Sequence, residues 1–276
     1  MKPVILTGVP RSGTTLAAAL LDSMPDAICL SEPDQHLHLH ATSATATEFV
    51  AMLRDSLEAL AARCAVGDWP IDRRSGDGLP ITNYFSGSPD GGDRASQFVE
   101  RVPKPRALSD HALICAKHNA LYLSVLPQLV ASGAFTEVAI VRDPIDVLGS
   151  WNSLALPVSG GKLPAAEKFW QAMAQLTMES LALLDKQVRI YELICRRLVR
   201  FRTQIAVIKY ETLIKDLDAL AHAVDRPLDD ETRSRWAAMT RPRPPSRSRR
   251  DIQDALGRLV SQGEAQGLLS FYPQYG

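Results

Sequence analysis

Short apolar runs alternate with amphipathic stretches along the whole chain. Val4–Leu6, Ala27–Leu30, Ala112–Ala116, Val138–Val141 and Ile205–Ile208 are nearly continuous runs with β-branched content. Such runs suit strands buried on both faces, as in a parallel sheet. Helical spacing of apolar residues fills the intervals: Thr14–Met24, Thr47–Ala65, Ala120–Ala131, Pro144–Leu154 and Glu211–Val224. Pro164–Phe201 predicts one long helix or two. Pro144 suits a first helical turn, where its missing N–H costs nothing. Strands alternating with helices predict an α/β fold, a parallel sheet flanked by helices with right-handed crossovers. We read residues 1–276 as a single domain.

Two segments depart from this rhythm. Gly67–Arg106 is rich in Gly, Pro, Asp and Ser, and reads as an acceptor-binding lid or as a plain insertion; its Arg73, Arg74, Arg94, Arg101 and Lys104 are the basic residues of this segment that a groove for acidic peptides would need. Arg241–Arg250, with the sequence RPRPPSRSRR, reads on composition as a solvated connector. A nucleic-acid arm is the other reading of that run. The formal net charge of the chain is zero, which argues against it and against binding to an anionic membrane through a global field.

Composition adds little else. Apolar residues make up 46% and charged residues 22%, so wholesale disorder is not expected. The apolar runs are far shorter than a membrane span requires, and the first residues lack the pattern of a secretory signal. Cys29, Cys64, Cys115 and Cys195 are widely spaced and predict reduced core thiols. The expected location is cytoplasmic.

The chemistry begins at Gly8-Val9-Pro10-Arg11-Ser12-Gly13-Thr14-Thr15. A strand, a glycine-bounded turn and a helix start form a phosphate cradle, because unpaired backbone N–H groups and the helix dipole converge on an anion. The spacing is close to the Walker pattern, yet Thr14 stands where a nucleotide triphosphatase has Lys. The loop's cation is Arg11. A second anion feature follows the fourth apolar run, with Arg142 at a strand end and Ser150 about two helical turns later. Taken alone, Arg142 also reads as the partner of Asp143 or Asp146 in an ion pair. Glu32 and Lys117 stand at two further strand ends, as does Tyr210. His36, His38 and His40 alternate with Leu, and only His36 and His40 would share a face of a helix. Without a supporting Cys or carboxylate cluster they read as acceptor contacts or surface residues, and no metal is expected.

The run GVPRSGTTL, followed by Leu21-Asp22-Ser23-Met24-Pro25-Asp26, resembles the 5′-phosphosulfate loop of P-loop sulfotransferases, most closely the tyrosylprotein sulfotransferase branch in a soluble, bacterial-type form. Three further features carry the resemblance. Glu32 lies 21 residues after Arg11, the register of that branch's catalytic Glu. Ser150 lies eight residues after Arg142, as in the family's 3′-phosphate motif. Lys117 ends a strand as the family's catalytic Lys does. Ser31 departs from the pattern, since the family often has a second Glu there.

The resemblance implies sulfuryl transfer from 3′-phosphoadenosine 5′-phosphosulfate (PAPS) to a hydroxyl acceptor, tyrosine or another phenol or alcohol. It implies that Arg11, Ser12, Gly13, Thr14 and Thr15 hold the 5′-phosphosulfate. Arg142 and Ser150 would hold the 3′-phosphate, with Tyr210 by the nucleotide and Ser248 (or Ser246) on a late loop over it. Glu32 would remove the acceptor proton, and Lys117, with Arg11, would stabilise the departing oxygen. Expected partners are a small-molecule or peptide acceptor, with neither nucleic acid nor membrane; a homodimer is left open. The alternatives are a P-loop nucleotide kinase with an altered loop and a non-catalytic nucleotide-binding protein.

Overall fold

The computed structural model describes residues 2–68, 70–74, 80–86, 95–96, 100–103, 108–109, 111–240 and 250–276, with backbone alone at 71, 86, 95–96 and 100–103. Its strands are β1 (Val4–Gly8), β2 (Ala27–Ser31), β3 (Ile71–Arg74), β4 (Phe85–Ser86), β5 (Ala95–Ser96), β6 (Glu100–Pro103), β7 (Leu113–Lys117), β8 (Thr136–Val141) and β9 (Ala206–Lys209). Five of them form one sheet in the order β2-β7-β1-β8-β9. Every pairing in it is parallel. β3 with β6 and β4 with β5 make two small antiparallel pairs. The expected α/β architecture, a parallel sheet flanked by helices, is therefore present.

Register decides where the chemistry falls. Leu6 and Ser31 are both level with Lys117, Gly8 is level with Ile140, and Val141 is level with Lys209. The residues that follow these strand ends, Val9, Glu32, His118, Arg142 and Tyr210, therefore emerge along one edge of the sheet. This carboxyl edge is where open α/β sheets bind ligands.

Both faces of the sheet are covered. Val4 and Leu6 pack under α1 (Thr14–Ser23), against Leu20, Leu21 and Trp236. Ile5 and Ile114 face the other way, onto α3 (Ala46–Ala65) through Phe49, Leu53, Leu57 and Leu60. Those four positions recur at helical spacing, and Thr45 caps the helix by accepting the Glu48 amide at 3.1 Å. Behind the carboxyl edge, Val141 and Val147 pack with Trp151, Tyr191, Ile194 and Ile252. Full burial of an aliphatic side chain of this kind stabilises the fold by roughly 1.5–3 kcal/mol.

Some helical stretches break sooner than their periodicity predicts. The 120–131 stretch becomes α4 (Asn119–Ser124) and α5 (Leu126–Ser132), because Val125 leaves helical geometry just before Pro127. α6 is Pro144–Trp151. The long stretch from Pro164 is three helices, Pro164–Glu167, Gln171–Met178 and Leu183–Phe201. The stretch after Tyr210 divides into Tyr210–Leu213 and Asp218–Ala223. The histidine run forms α2 (Asp34–Thr42), with His36 and His40 buried rather than at the surface. His36 Nδ1 lies 2.7 Å from the Tyr122 hydroxyl, and His40 meets Phe49 and Phe169 edge-on. They are core groups. Among the described residues there is no cluster of three or more His, Cys, Asp or Glu placed to hold a metal, and no helix long and apolar enough to cross a membrane.

Candidate active site

The loop after β1 is clamped onto β8. The Val9 amide and the Ser12 hydroxyl both donate to the Ile140 carbonyl, at 3.0 and 2.8 Å. A Cβ on Gly8 would stand 2.1 Å from that same oxygen, so the close approach requires glycine. The Trp151 indole donates to the Pro10 carbonyl at 2.8 Å, fixing the loop to α6. Ser12 donates its amide to the Val9 carbonyl at 3.0 Å, so both of its donors shape the loop.

What the loop leaves open is the start of α1. Its N-cap is Gly13 at φ 101°, with no side-chain cap and no acidic residue in the first turn. The first amide with a partner in the helix is that of Ala17, which donates to Gly13. The preceding amides have no partner within the helix, and the dipole adds partial positive charge there. Arg11, at φ 70°, is held in the left-handed region just before them. Its Nε donates to the Ser150 hydroxyl at 3.2 Å, and its guanidinium carbon lies 5.0 Å from the Phe85 ring centre.

A cavity of about 640 Å³ opens over this turn. Arg11, Gly13, Thr14, Thr15, Glu32, Lys117, Arg142 and Tyr210 all line it. Ser12 lies beneath the lining, and Ser150 is reached through Arg11. Ser248, Ser246, Arg94 and Lys104 lie outside the described residues. Arg11, Arg73, Lys117 and Arg142 bring four cations to the described lining, against one carboxylate, Glu32. A cleft with that imbalance attracts anions even in a protein of zero net charge.

Glu32 is the second non-glycine residue of the site in left-handed backbone, at φ 55°. Non-glycine residues seldom adopt this geometry, and it recurs at functional sites. The Glu32 amide donates to the Lys117 carbonyl at 2.8 Å, and its Oε1 lies 2.6 Å from Lys117 Nζ. Arg73 approaches Oε2 at 3.4 Å. Burial pushes the Glu32 carboxyl upward, but the Lys117 charge, with His118 and Arg73, outweighs it and holds the pKa at about 2. Lys117 itself is buried, its Nζ 5.7 Å from the centre of the Tyr84 ring. His118 Nδ1 accepts the Leu121 amide at 3.2 Å, which leaves the proton of the neutral ring on Nε2. Burial lowers its pKa to about 4, with Glu32 opposing, so the ring is neutral near pH 7.

At the far end, Arg142 pairs with Asp146 at 2.7 Å and lies over the Tyr210 ring, 4.5 Å from its centre. The Tyr210 ring also closes on Gly13, where a Cβ would sit 2.4 Å from it. The ion pair anticipated as one reading of Arg142 is thus present, and the Arg still borders the cavity. Arg142, Ser150, Tyr210 and the β1 loop come together as one site.

Of the lining residues in the segment left as lid or insertion, sequence reading gives no role to Thr82, Asn83, Tyr84 and Phe85, and offers Arg73 only as one of several basic residues whose arrangement it does not fix. Strand alternation in β3 is the signal that was available. Asp72 and Arg74 turn inward: Asp72 accepts the Ser31 amide at 3.2 Å, and Arg74 forms a buried two-point pair with Asp22 at 2.9 Å. Arg73, between them, faces Glu32 and Asp34.

A model of the sulfotransferase domain matches residues 1–228. No curated protein sequence matches the chain. Among solved structures, a sulfotransferase from Alicyclobacillus acidocaldarius is similar at 12% identity and a TM-score of 0.41, over 98% of this chain and 95% of that one. Sulfotransferase STF1 from Mycobacterium tuberculosis H37Rv gives 12% and 0.44, over 94% and 76%. A retinol dehydratase in complex with androsterone and inactive cofactor PAP gives 16% and 0.35, over 87% and 64%.

Proposed function

Since the chain belongs to the sulfotransferase family, whose members transfer sulfuryl groups, we propose that it moves a sulfuryl group from PAPS to the hydroxyl of a small acceptor. The observation that carries this reading is the open start of α1, ringed by Arg11, Lys117 and Arg142 and with Glu32 as the one carboxylate of the described lining.

The residues present suit such a donor. The free amides at residues 13–16, with Arg11 and the Thr14 and Thr15 side chains, would hold the 5′-phosphosulfate, and Ser12 keeps the loop in shape. Arg142 would take the 3′-phosphate together with Ser150, whose hydroxyl Arg11 contacts, and Tyr210 would flank the nucleotide. The donor supplies the sulfuryl group. Glu32 is ionised at neutral pH and accepts the acceptor's proton as the new S–O bond forms. Lys117 places an ammonium where charge gathers on the departing oxygen. Each is held by the other before substrate arrives, so neither has to be ordered during the reaction.

The Arg11–Glu32 register and the paired Lys117 favour the mechanism of the tyrosylprotein branch, but the described acceptor wall does not favour its acidic peptides. Tyr84, Phe85, Leu156, Val158 and Leu163 are apolar or aromatic. Arg73 is already shared between Glu32 and Asp34. An uncharged phenol or alcohol suits that wall better.

The test is thermal stability with 3′,5′-ADP, 5′-AMP and magnesium ATP. Near 100 times its dissociation constant a specific ligand adds about 2.7 kcal/mol. Selective stabilisation by 3′,5′-ADP without metal is the expected result. A response to magnesium ATP alone would reject the donor assignment.

A further inference from the structure

The last turn of the chain reaches back to the nucleotide end of the cavity. The Tyr275 hydroxyl donates to the Asp143 carboxylate, 2.9 and 2.7 Å from its two oxygens. The Tyr272 hydroxyl donates to Glu211 Oε2 at 3.1 Å, while Glu211 Oε1 accepts the Asp143 amide at 2.9 Å. Tyr191, from the long helix, donates to the Arg142 carbonyl at 2.6 Å. The peptide joining Arg142 to Asp143 is therefore gripped at its carbonyl and at its amide by side chains from distant elements. Both tyrosines lie beyond the residues the sulfotransferase model matches.

The arrangement has a geometric consequence. Glu211 follows Tyr210 at the end of β9, and Asp143 follows Arg142 at the end of β8. One carboxylate thus ties the two strand ends that carry the Arg142–Tyr210 stack, and Tyr272 sets that carboxylate's orientation. A second consequence is electrostatic. Asp143 sits next to Arg142 in the chain, yet its carboxylate is taken up by the Tyr275 hydroxyl and by the Ile145 amide at 2.9 Å. Among the described residues Arg142 keeps one carboxylate partner, Asp146, and an edge toward the cavity.

We propose that the C-terminal turn is a positioning device for the nucleotide end of the site: Tyr272 and Glu211 hold Arg142 and Tyr210 face to face, and Tyr275 occupies Asp143 so that Arg142 stays available to a phosphate. The inference rests on the donor reading above. It assigns Tyr272 and Tyr275 as positioning residues that act through Glu211 and Asp143.

Titration calorimetry of the full chain with 3′,5′-ADP and with 5′-AMP tests it, alongside thermal midpoints. Tyr275→Phe removes one hydroxyl and keeps the ring. It should weaken 3′,5′-ADP by about five- to tenfold, the scale of one hydrogen bond, and 5′-AMP by less than about twofold. Asp143→Asn removes the competing charge, so the Tyr275→Phe penalty should shrink in the double variant. A lower midpoint with unchanged affinity for both nucleotides, or equal losses for both, would overturn the proposal. Failure of the unaltered protein to bind 3′,5′-ADP would instead remove the donor reading and this proposal with it.

Discussion

Glu32 and Lys117 hold each other at two points, through backbone at 2.8 Å and through side chains at 2.6 Å. The first contact comes from strand register, since Ser31 and Lys117 are level in adjacent parallel strands. The second turns that register into a close carboxylate–ammonium ion pair. Glu32→Gln keeps the size and the hydrogen-bonding reach of the side chain but cannot take a proton. Turnover should fall by about 10²–10⁴, the usual scale of general-base catalysis, with 3′,5′-ADP affinity within about threefold of the original. Product formation at the original rate in this variant would remove Glu32 from the mechanism.

The same pair sets a pH dependence. With its pKa at about 2, Glu32 is lowered from its ordinary value, so it stays ionised through the mildly acidic range. In the free enzyme, kcat/KM should therefore show no loss from Glu32 between pH 7 and about pH 4. Its contribution to stability has the matching sign: it is present above the ordinary carboxylate range and is lost as pH falls toward 2. In Lys117→Met the carboxyl loses its main compensating charge and its pKa should rise, bringing an acid limb into view. The pH–rate profiles of the two proteins, compared under one buffer series, decide this. An acid limb near neutrality in the unaltered enzyme would contradict an ionised Glu32.

Asp72 titrates in the opposite sense. Burial raises its pKa to about 6, against the lowering effects of the Arg73 and Ser31 amides and the Arg74 charge. The folded protein then binds a proton that the unfolded chain has already released, so stability falls as pH rises from about 4 to 6. The whole effect amounts to roughly 2–3 kcal/mol at about 1.4 kcal/mol per unit. Asp72→Asn should flatten that slope. Denaturant unfolding at pH 4, 5, 6 and 7 measures it, and an unchanged slope in the variant would place the titration elsewhere.

The parts of this site legible in sequence are those fixed by local geometry. The β1 loop announces itself because a strand, two glycines and a helix start must follow one another within a few residues. Arg142, Glu32 and Lys117 stand out because each follows or ends an apolar run, and parallel register brings such ends together. What was not legible depends on distant contacts. Arg73 and Phe85 occupy a stretch with little periodicity, and only the tertiary fold brings them to Glu32 and Arg11. Tyr275 is distant from Asp143 in sequence, and no pattern marks its partner. His36 and His40 look like polar surface residues because the sequence does not show that Tyr122 and Phe49 await them. Between Pro164 and Phe201 the sequence predicts one helix or two where three form, because the apolar spacing persists across the breaks near residues 170 and 180.

Gly13 joins the loop to the Arg142–Tyr210 end of the cavity, and it offers the sharpest structural test. A methyl group there meets two obstacles: φ of 101°, which L side chains rarely adopt, and the Tyr210 ring at 2.4 Å. The same ring carries the Arg142 guanidinium 4.5 Å from its centre, so moving Tyr210 would also disturb that stack. Gly13→Ala should therefore either tilt the helix start away from the cavity or expel the ring, and both distort the open start of α1 to which the donor is assigned. Strain of this kind costs on the order of 1–3 kcal/mol. The expected outcome is a lower thermal midpoint together with loss of most of the stabilisation by 3′,5′-ADP. Tyr210→Ala clears the space and leaves the dihedral strain. In the Gly13→Ala, Tyr210→Ala double variant the Gly13 penalty should thus shrink without vanishing. Full additivity of the two changes in thermal midpoint would show that the ring and the glycine do not constrain one another.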